Sequence, residues 1–408
     1  MGTYINSESM ERRKGSFMNN NQGLKIDFSL IMILVAIAAV SCFTLYTIQP
    51  TLPSKYDYTN FFTKQLQWYA LGTIVIGVVM LFDYDRFRQL AWVFYGIGIM
   101  MLLMLEFNVP SSLVHENNGA RSWFKIAGNT IQPGEFMKVF LIILQSHLIV
   151  RHNEKRPTER SLKYDLWLLV KLVGVALPPM ALIAKQPDLG TFLVLAAITA
   201  ALILVSGIRW RILLSIIGII SMVTLVLVGL FQFFPVAMEK LLVESDFGHV
   251  TGRFYGWLQP EEYEDYGYQL VRAMMAIGSG QLMGKGINEM QVYIPERHTD
   301  MIFTAIAEQF GFIGSSVVVT LFFLLIYRMI TTALESNEPF GSYLTVGLIG
   351  MFTFQIFQNI GMSIQLLPIT GLPLPFISYG GSSLITYMLA IGLVLNVRSR
   401  TRTYMFDS

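Results

Sequence analysis

Residues 27–48 read DFSLIMILVAIAAVSCFTLYTI, one acid followed by a run without a single charge. A membrane helix needs about 20 mostly apolar residues, and this run supplies them. It exceeds the apolar core of a signal peptide, about 7–15 residues, and no small-residue cleavage site follows it. The polar stretch ahead of it carries Arg12, Arg13, Lys14 and Lys25. The run is therefore predicted to be an uncleaved first span, with residues 1–26 as a cytoplasmic tail.

Nine more apolar runs follow, near 66–82, 90–107, 132–150, 165–184, 190–206, 211–234, 301–327, 341–366 and 382–397. The composition agrees. Of 408 residues, 53% are hydrophobic and 14% charged, against about 25% charged in an average soluble domain. Mean hydropathy is +0.53. The predicted fold class is an all-α polytopic membrane protein of about ten transmembrane helices. Cys42 is the single cysteine, which excludes an intramolecular disulfide and a thiolate metal cluster.

The basic residues orient the chain. With the N-terminus inside, the inner segments hold Arg12, Arg13, Lys14, Lys25, Arg86, Arg88, Arg151, Lys155, Arg156, Arg160 and Lys163. They continue with Arg209, Arg211, Arg328, Arg398, Arg400 and Arg402, which makes 17 of the 29 Lys and Arg. All lie in short loops or tails, where the positive-inside bias operates. The short outer loops hold only Lys55, Lys64, Arg121, Lys125 and Lys185. Both termini are predicted to be cytoplasmic. Residues 27–397 form the ten-span membrane domain, and 398–408 form a C-terminal tail.

One outer segment is long. Residues 235–300, between spans 7 and 8, are too rich in aromatics for disorder, and loops of this length are usually functional. Within them LVRAMMAIG (270–278) is predicted to be a short helix at the membrane surface.

Four outward-facing stretches concentrate polar groups at the membrane boundary: GARSWFKIAGNTIQPGEFMK (119–138), KQPDLG (185–190), PERHTD (295–300) and LPLPFISYGGSS (372–383). Each has a local reading. Pro133 and Pro187 suit the first turn of a helix, Glu135 and Asp188 suit its dipole, and Thr299 or Asp300 suits an N-cap. His298 alone reads as structural, and Trp123 as an interfacial anchor. Helix starts do not need Lys138, Lys185, Arg297 and His298 beside them, however. Together the groups point to a site for an anionic, lipid-linked substrate. Lys138 and Lys171 fall inside spans, where a cation costs roughly 2.5–3.5 kcal/mol unless paired or hydrated. Glu135 stands three residues before Lys138 and can pair with it. Gly380 and Gly381, ahead of a helix, offer N–H groups to a phosphate.

Six motifs in order, NGARSW (118–123), QPGEFMK (132–138), KQPDLGT (185–191), GYQLVRAMMAIGSG (267–280), PERHTD (295–300) and LPLPFISYGGSSL (372–384), resemble the SEDS proteins (shape, elongation, division and sporulation), the family containing RodA and FtsW. The resemblance covers about 27–400, and the last motif is its most specific part. It implies a peptidoglycan glycosyltransferase of the inverting hexosyltransferase type. Such an enzyme polymerises lipid II at the outer face of a bacterial cytoplasmic membrane, for elongation and shape or for division, beside a class B penicillin-binding protein. In the family, activity depends most on the aspartate ending P-E-x-H-T-D, which falls on Asp300. The motif tryptophan falls on Trp123, next to Arg121 in the same motif. The acid and base of Q-P-S-E-x-x-K fall on Glu135 and Lys138, and the Q-P-D aspartate on Asp188. Gln269 and Ser378 sit in their motifs as further candidates for substrate contact. Gly134 departs from the usual Ser, and Met301 from the usual Phe. Arg297 before His298, with short tails, leans toward the RodA-like form.

The implied reaction is attack by a sugar 4-hydroxyl on an anomeric carbon carrying a lipid pyrophosphate. A general base must come within about 2.6–3.2 Å of the hydroxyl, and Asp300 is the candidate. The leaving pyrophosphate calls for positive charge from Lys138, Lys185, Arg297 or a divalent cation (Mg2+ or Mn2+). Glu135, Asp188 or Asp300 are the candidate ligands of such a metal, and orientation of Lys138 ranks above metal binding. Spans 2, 3 and 4 are expected to cradle the polyprenyl tails among membrane lipid, and no nucleic acid partner is expected. Two other readings compete. A lipid II flippase needs polar groups through the membrane, whereas the acids here gather on one face. A non-catalytic scaffold for the penicillin-binding protein predicts that Asp300 is replaceable.

Overall fold

The computed structural model describes residues 26–56, 58–117, 120–126, 128–155, 161–233, 248–287 and 289–401. The N-terminal tail through Lys25, Arg156 and Arg160, residues 234–247 of the long loop, and the end of the C-terminal tail from Arg402 lie outside the described residues.

The helices are α1 (Phe28–Ile48), α2 (Phe61–Leu81), a short α3 (Tyr84–Gln89), α4 (Ala91–Glu106), α5 (Pro133–Asn153), α6 (Leu162–Lys185) and α7 (Leu189–Val205). Then come α8 (Trp210–Phe233), α9 (Gly248–Leu258), α10 (Glu264–Gly280), α11 (Ile302–Glu335), α12 (Pro339–Ser363) and α13 (Gly381–Arg400). Among the described residues, α1, α2, α5, α6, α11, α12 and α13 are long and apolar enough to cross a membrane, and α4, α7 and α8 are shorter apolar helices. They fall on the ten stretches read from the sequence, with two corrections. Helix α2 starts at Phe61 rather than near 66, because Asn60 accepts a cap hydrogen bond from Thr63 N at 3.0 Å and the first turn is polar. Helix α11 continues to Glu335 rather than 327, carrying Arg328 to Asp27 at 2.8 Å.

Hydropathy did not foresee strands. An antiparallel sheet β1–β2–β3 (Val114–Asn117, Ala120–Ile126, Asn129–Ile131) occupies the loop before α5. In β2, Ser122 and Phe124 are buried while Arg121 and Lys125 are exposed, the two-residue period of a half-buried strand.

Helix α5 is the hub, packed against α4, α6, α7, α12 and α13. It is also a polar span, burying Glu135, Lys138, Gln145 and Ser146. Such a helix is tolerated only where its neighbours shield it from lipid. Span 4 therefore cannot cradle lipid tails, contrary to expectation. Helices α2 and α13 also approach closely: a Cβ at Gly392 would lie 3.2 Å from the Ile76 backbone.

The four polar stretches meet at one end of the bundle. Ser382 Oγ donates to Thr130 O (3.0 Å) and accepts from Gln132 N (3.1 Å). Ser122 Oγ donates to Gln186 O (3.3 Å), and Tyr379 N to His298 O (3.0 Å). The opposite end is laced by ion pairs, among them Arg88–Glu154, Arg400–Asp83 and Arg209–Asp165.

Helix α10 contains the predicted LVRAMMAIG helix, but Leu270, Ala273 and Ala276 are fully buried, and α10 packs on α11. The helix leans on protein rather than lying on the membrane surface alone. Helix α11 itself is interrupted at Gly311 (φ 61°, ψ −155°). The chain after α10 fills the break: Phe312 N and Ile313 N donate to Gln281 O and Leu282 O, and Glu308 O and Gln309 O accept from Lys285 N and Gly286 N. Backbone groups freed inside a membrane helix must find such partners.

Candidate active site

PERHTD is a run of turns leading into α11. The N-cap position is Met301, with no side-chain capping bond, so neither Thr299 nor Asp300 caps the helix as the local reading suggested. The Asp300 carboxylate is left available, touched by Thr299 Oγ1 at 3.1 Å. Its backbone is fixed from two sides. Buried Asn359 of α12 donates to Asp300 O (2.6 Å) and Leu372 O (2.7 Å). Ser378 Oγ donates to Thr299 O (2.5 Å) and accepts from Leu374 N (2.8 Å). The most specific motif of the sequence thus braces Asp300.

Asp300 lines a cleft of about 390 Å³ with Arg253, Trp257, Tyr268, Gln269 and Gly371 among its walls. Gln269 Nε2 donates to Pro295 O (3.3 Å), holding α10 to the PERHTD segment. Trp257 Nε1 donates to Gln365 O (2.9 Å) and Gln365 Nε2 to Trp257 O (3.2 Å), which ties α9 to the loop after α12. Arg253 Nη1 lies 3.5 Å from Thr370 O.

Burial pushes the Asp300 carboxyl up to about 6; nearby Glu296 adds to the rise, while Thr299 and the Arg253 charge oppose it. Burial pulls the Arg253 guanidinium down, and the charges of Asp188 and Asp300 oppose that pull. The cleft therefore joins a carboxylate poised near neutrality with a guanidinium, a base beside an anion-binding group.

The other sequence candidates are distributed differently. Glu135 and Lys138 form the expected pair at 2.7 Å, but both are buried inside α5 and do not line the cleft. Lys185 is exposed and pairs with Glu106 at 3.2 Å. Arg297 is buried against Glu308. None of the three expected phosphate-binding cations therefore reaches the cleft; Arg253 stands there instead. Asp188 is the N-cap of α7, accepting from Thr191 N (2.9 Å) and also from Gln132 Nε2 (2.8 Å); it stands just ahead of the first turn in which the local reading placed it, and Pro187 lies outside the helix. His298 packs against Phe61 and Tyr56 with ring centroids 4.3 and 4.8 Å away. Arg121 and Trp123 sit on β2, with Trp123 opposite His115. Gly380 accepts from Leu384 N (3.0 Å), and a Cβ at Gly381 would lie 2.6 Å from the Trp68 ring. These glycines serve close packing at the start of α13 rather than the cleft.

Arg253, Trp257 and Glu308 escaped the sequence reading. Arg253 and Trp257 lay in the aromatic loop already marked as functional, but nothing local distinguished them. Glu308 did carry a signal, a carboxylate inside an apolar span. It is fully buried and accepts from Lys285 Nζ (2.9 Å), Gln291 N (3.0 Å), Val292 N (3.3 Å) and the Arg297 guanidinium. Among the described residues no three His, Cys, Asp or Glu side chains converge. Glu135 is committed to Lys138, and Asp188 and Asp300 both act on Arg253. This donor set suits a guanidinium, and no metal-dependent step is assigned.

A polytopic helical bundle with an acid–base cleft at one end is a membrane enzyme architecture with known relatives. Residues 25–403 match the model of the cell cycle protein family FTSW_RODA_SPOVE, and the chain belongs to that family of bacterial membrane proteins. It is 31% identical over 383 residues to stage V sporulation protein E of Bacillus subtilis, covering 92% of this chain and 98% of the other. It is 32% identical over 388 residues to the probable peptidoglycan glycosyltransferase FtsW of the same organism, covering 91% and 90%. Among solved structures, a chain of a peptidoglycan synthase complex matches with TM-score 0.72 and 26% identity, covering 92% and 98%. The rod shape determining protein RodA of Thermus thermophilus matches with TM-score 0.63 and 27% identity, covering 94% and 99%.

Proposed function

We propose that this chain is a peptidoglycan glycosyltransferase that polymerises lipid II, with the Asp300 cleft at the outer face of the cytoplasmic membrane. The observation that carries the site assignment is the meeting of Asp300 and Arg253 in one cleft at the end of the bundle. The names of the relatives supply the reaction class. In this reading the Asp300 carboxylate takes the proton of the acceptor 4-hydroxyl as its oxygen bonds to the anomeric carbon of the donor. The bond from that carbon to the pyrophosphate breaks, and its electron pair leaves on the phosphate oxygen. Arg253 neutralises the departing charge, a contribution strongest in a water-poor cleft. Asp300 then returns its proton to solvent. Gln269 and Ser378 act by holding the walls of the cleft, and Asn359 by fixing Asp300. The relation to a solved synthase complex supports a class B penicillin-binding protein as partner, which would cross-link the strands made here.

The test is lipid II polymerisation by the full chain purified with such a partner, comparing wild type with Asp300→Asn. Glycan strands from the wild type and none from a folded, partner-binding variant are expected. Equal polymer from both overturns Asp300 as the base. No polymer from either, with lipid II crossing liposome bilayers, overturns the transferase reading in favour of transport.

A further inference from the structure

At the end of the bundle opposite the Asp300 cleft, Lys171 lies inside α6, nine residues from its start, or roughly 14 Å along the axis at 1.5 Å per residue. Its ammonium reaches back along the helix. Nζ is 5.5 Å from the ring of Trp167, one turn earlier, and 3.2 Å from Nδ1 of buried His152 in the last turn of α5. His152 Nε2 lies 3.1 Å from Tyr164 O. An ammonium only donates and a carbonyl only accepts, so one tautomer satisfies both contacts: Nε2–H donates to Tyr164 O, and the Nδ1 lone pair accepts from Lys171. That leaves the half-buried ammonium with two further N–H bonds and, among the described residues, no acceptor for them.

Among the described residues Lys171 has no acidic partner either. The acids nearby are engaged elsewhere, Asp165 with Arg209 at 3.3 Å and Glu154 with Arg88 at 2.5 Å. The neighbours acting on Lys171 are instead two more cations, both exposed: Arg151 in the last turn of α5 and Lys155 in the turn just beyond its end. Trp167, more than half exposed, marks the surface beside them as lipid-facing. Three cations and a lipid-facing tryptophan, with no unengaged anion beside them among the described residues, describe a seat for an external anion at headgroup depth. A basic pocket between membrane helices on such a face binds anionic headgroups.

We propose that Lys171, Arg151 and Lys155 form a binding site for the phosphate of an anionic phospholipid, separate from the lipid II cleft. The phosphate accepts the two remaining Lys171 N–H bonds, and the exposed Arg151 and Lys155 flank it. Trp167 packs on the glycerol and upper acyl chain.

The experiment is thermal unfolding and native mass spectrometry of the full chain in detergent, titrated with phosphatidylglycerol, phosphatidylcholine or undecaprenyl pyrophosphate. The comparison is among wild type, Lys171→Gln, the surface pair Arg151→Gln/Lys155→Gln, and Arg211→Gln as an exposed basic control in the first turn of α8. Phosphatidylglycerol should raise the melting temperature of wild type and Arg211→Gln, and phosphatidylcholine should not. The apparent dissociation constant for phosphatidylglycerol should rise about tenfold in Lys171→Gln and in the surface pair. If Lys171→Gln fails to fold, the exposed surface pair carries the test alone. Equal response to both phospholipids, or unchanged affinity in the variants, overturns the proposal. Binding of undecaprenyl pyrophosphate in preference to phosphatidylglycerol also overturns it, assigning the seat to a polyprenyl lipid.

Discussion

Asp300 illustrates how burial and activity trade against each other at a single side chain. Its carboxyl is raised from 3.8 to about 6 chiefly by burial. As the base it must be ionised, so polymerisation per unit of enzyme should fall as pH drops through about 6, visible as the acid limb of kcat/KM. Arg253 holds that value down, so Arg253→Ala should move the limb upward. The same variant should lose roughly 10²-fold in kcat or more, with Arg253→Lys retaining part of it. A pH–rate profile of both variants checks this; an unmoved limb would detach Arg253 from Asp300. The linkage to stability has the opposite sign. Between 3.8 and about 6 the folded state binds the proton that the unfolded chain has released, so this group's contribution falls as pH rises through that window. Asp300→Asn removes the buried charge and should raise the melting temperature at pH 7.5, by at most roughly 3 kcal/mol of stability. The PERHTD cluster stood out in the sequence as four ionisable residues beside an apolar run, and the family resemblance singled out Asp300 within it. Arg253 could not be singled out, because what brings it there is the position of α9.

Helix α11 shows the same division at the scale of an element. Its apolar run announces a span, but the break at Gly311 is visible only once the loop after α10 fills it. A Cβ at Gly311 would lie 2.4 Å from Gly284 N, and its φ is positive, so Gly311→Ala should destabilise on both counts. Glu308, three residues before the break, anchors that loop through Lys285 and the PERHTD segment through Arg297. Removing it leaves two cations without their partner in a largely buried setting. Glu308→Leu should cost about 3–5 kcal/mol, and the double variant Glu308→Leu/Arg297→Leu less than the sum of the two single changes. Thermal unfolding of the four proteins in one detergent measures it. Additive losses would mean that the pair is not coupled.

For the whole molecule, the prediction concerns orientation. The four polar stretches share one end, and most short-loop cations were assigned to the other. With Cys42 replaced by Ser, a cysteine at fully exposed Tyr58 should react with a membrane-impermeant maleimide in intact cells. One at exposed Ser161 should react only after lysis. The reverse pattern would invert the topology and move the cleft to the cytoplasm.

The ten apolar helices, and the gathering of polar motifs at one boundary, were legible in the chain because transfer into lipid is decided locally. Each run of about 20 residues either satisfies its own backbone and stays apolar or does not cross. The sheet before α5 and the helix α9 were not legible, since short strands and a short amphipathic helix gain stability only from what they pack against. The cleft is likewise a product of tertiary structure. Arg253, Gln269, Asp300 and Gly371 come from four separate segments, and Asp300 is fixed by Asn359 of a fifth and by Ser378 of the loop that carries Gly371. Burial, which makes that carboxylate a base near neutral pH, exists only after those segments close around it. A residue's identity is written in the chain, but its dielectric surroundings are made by the fold.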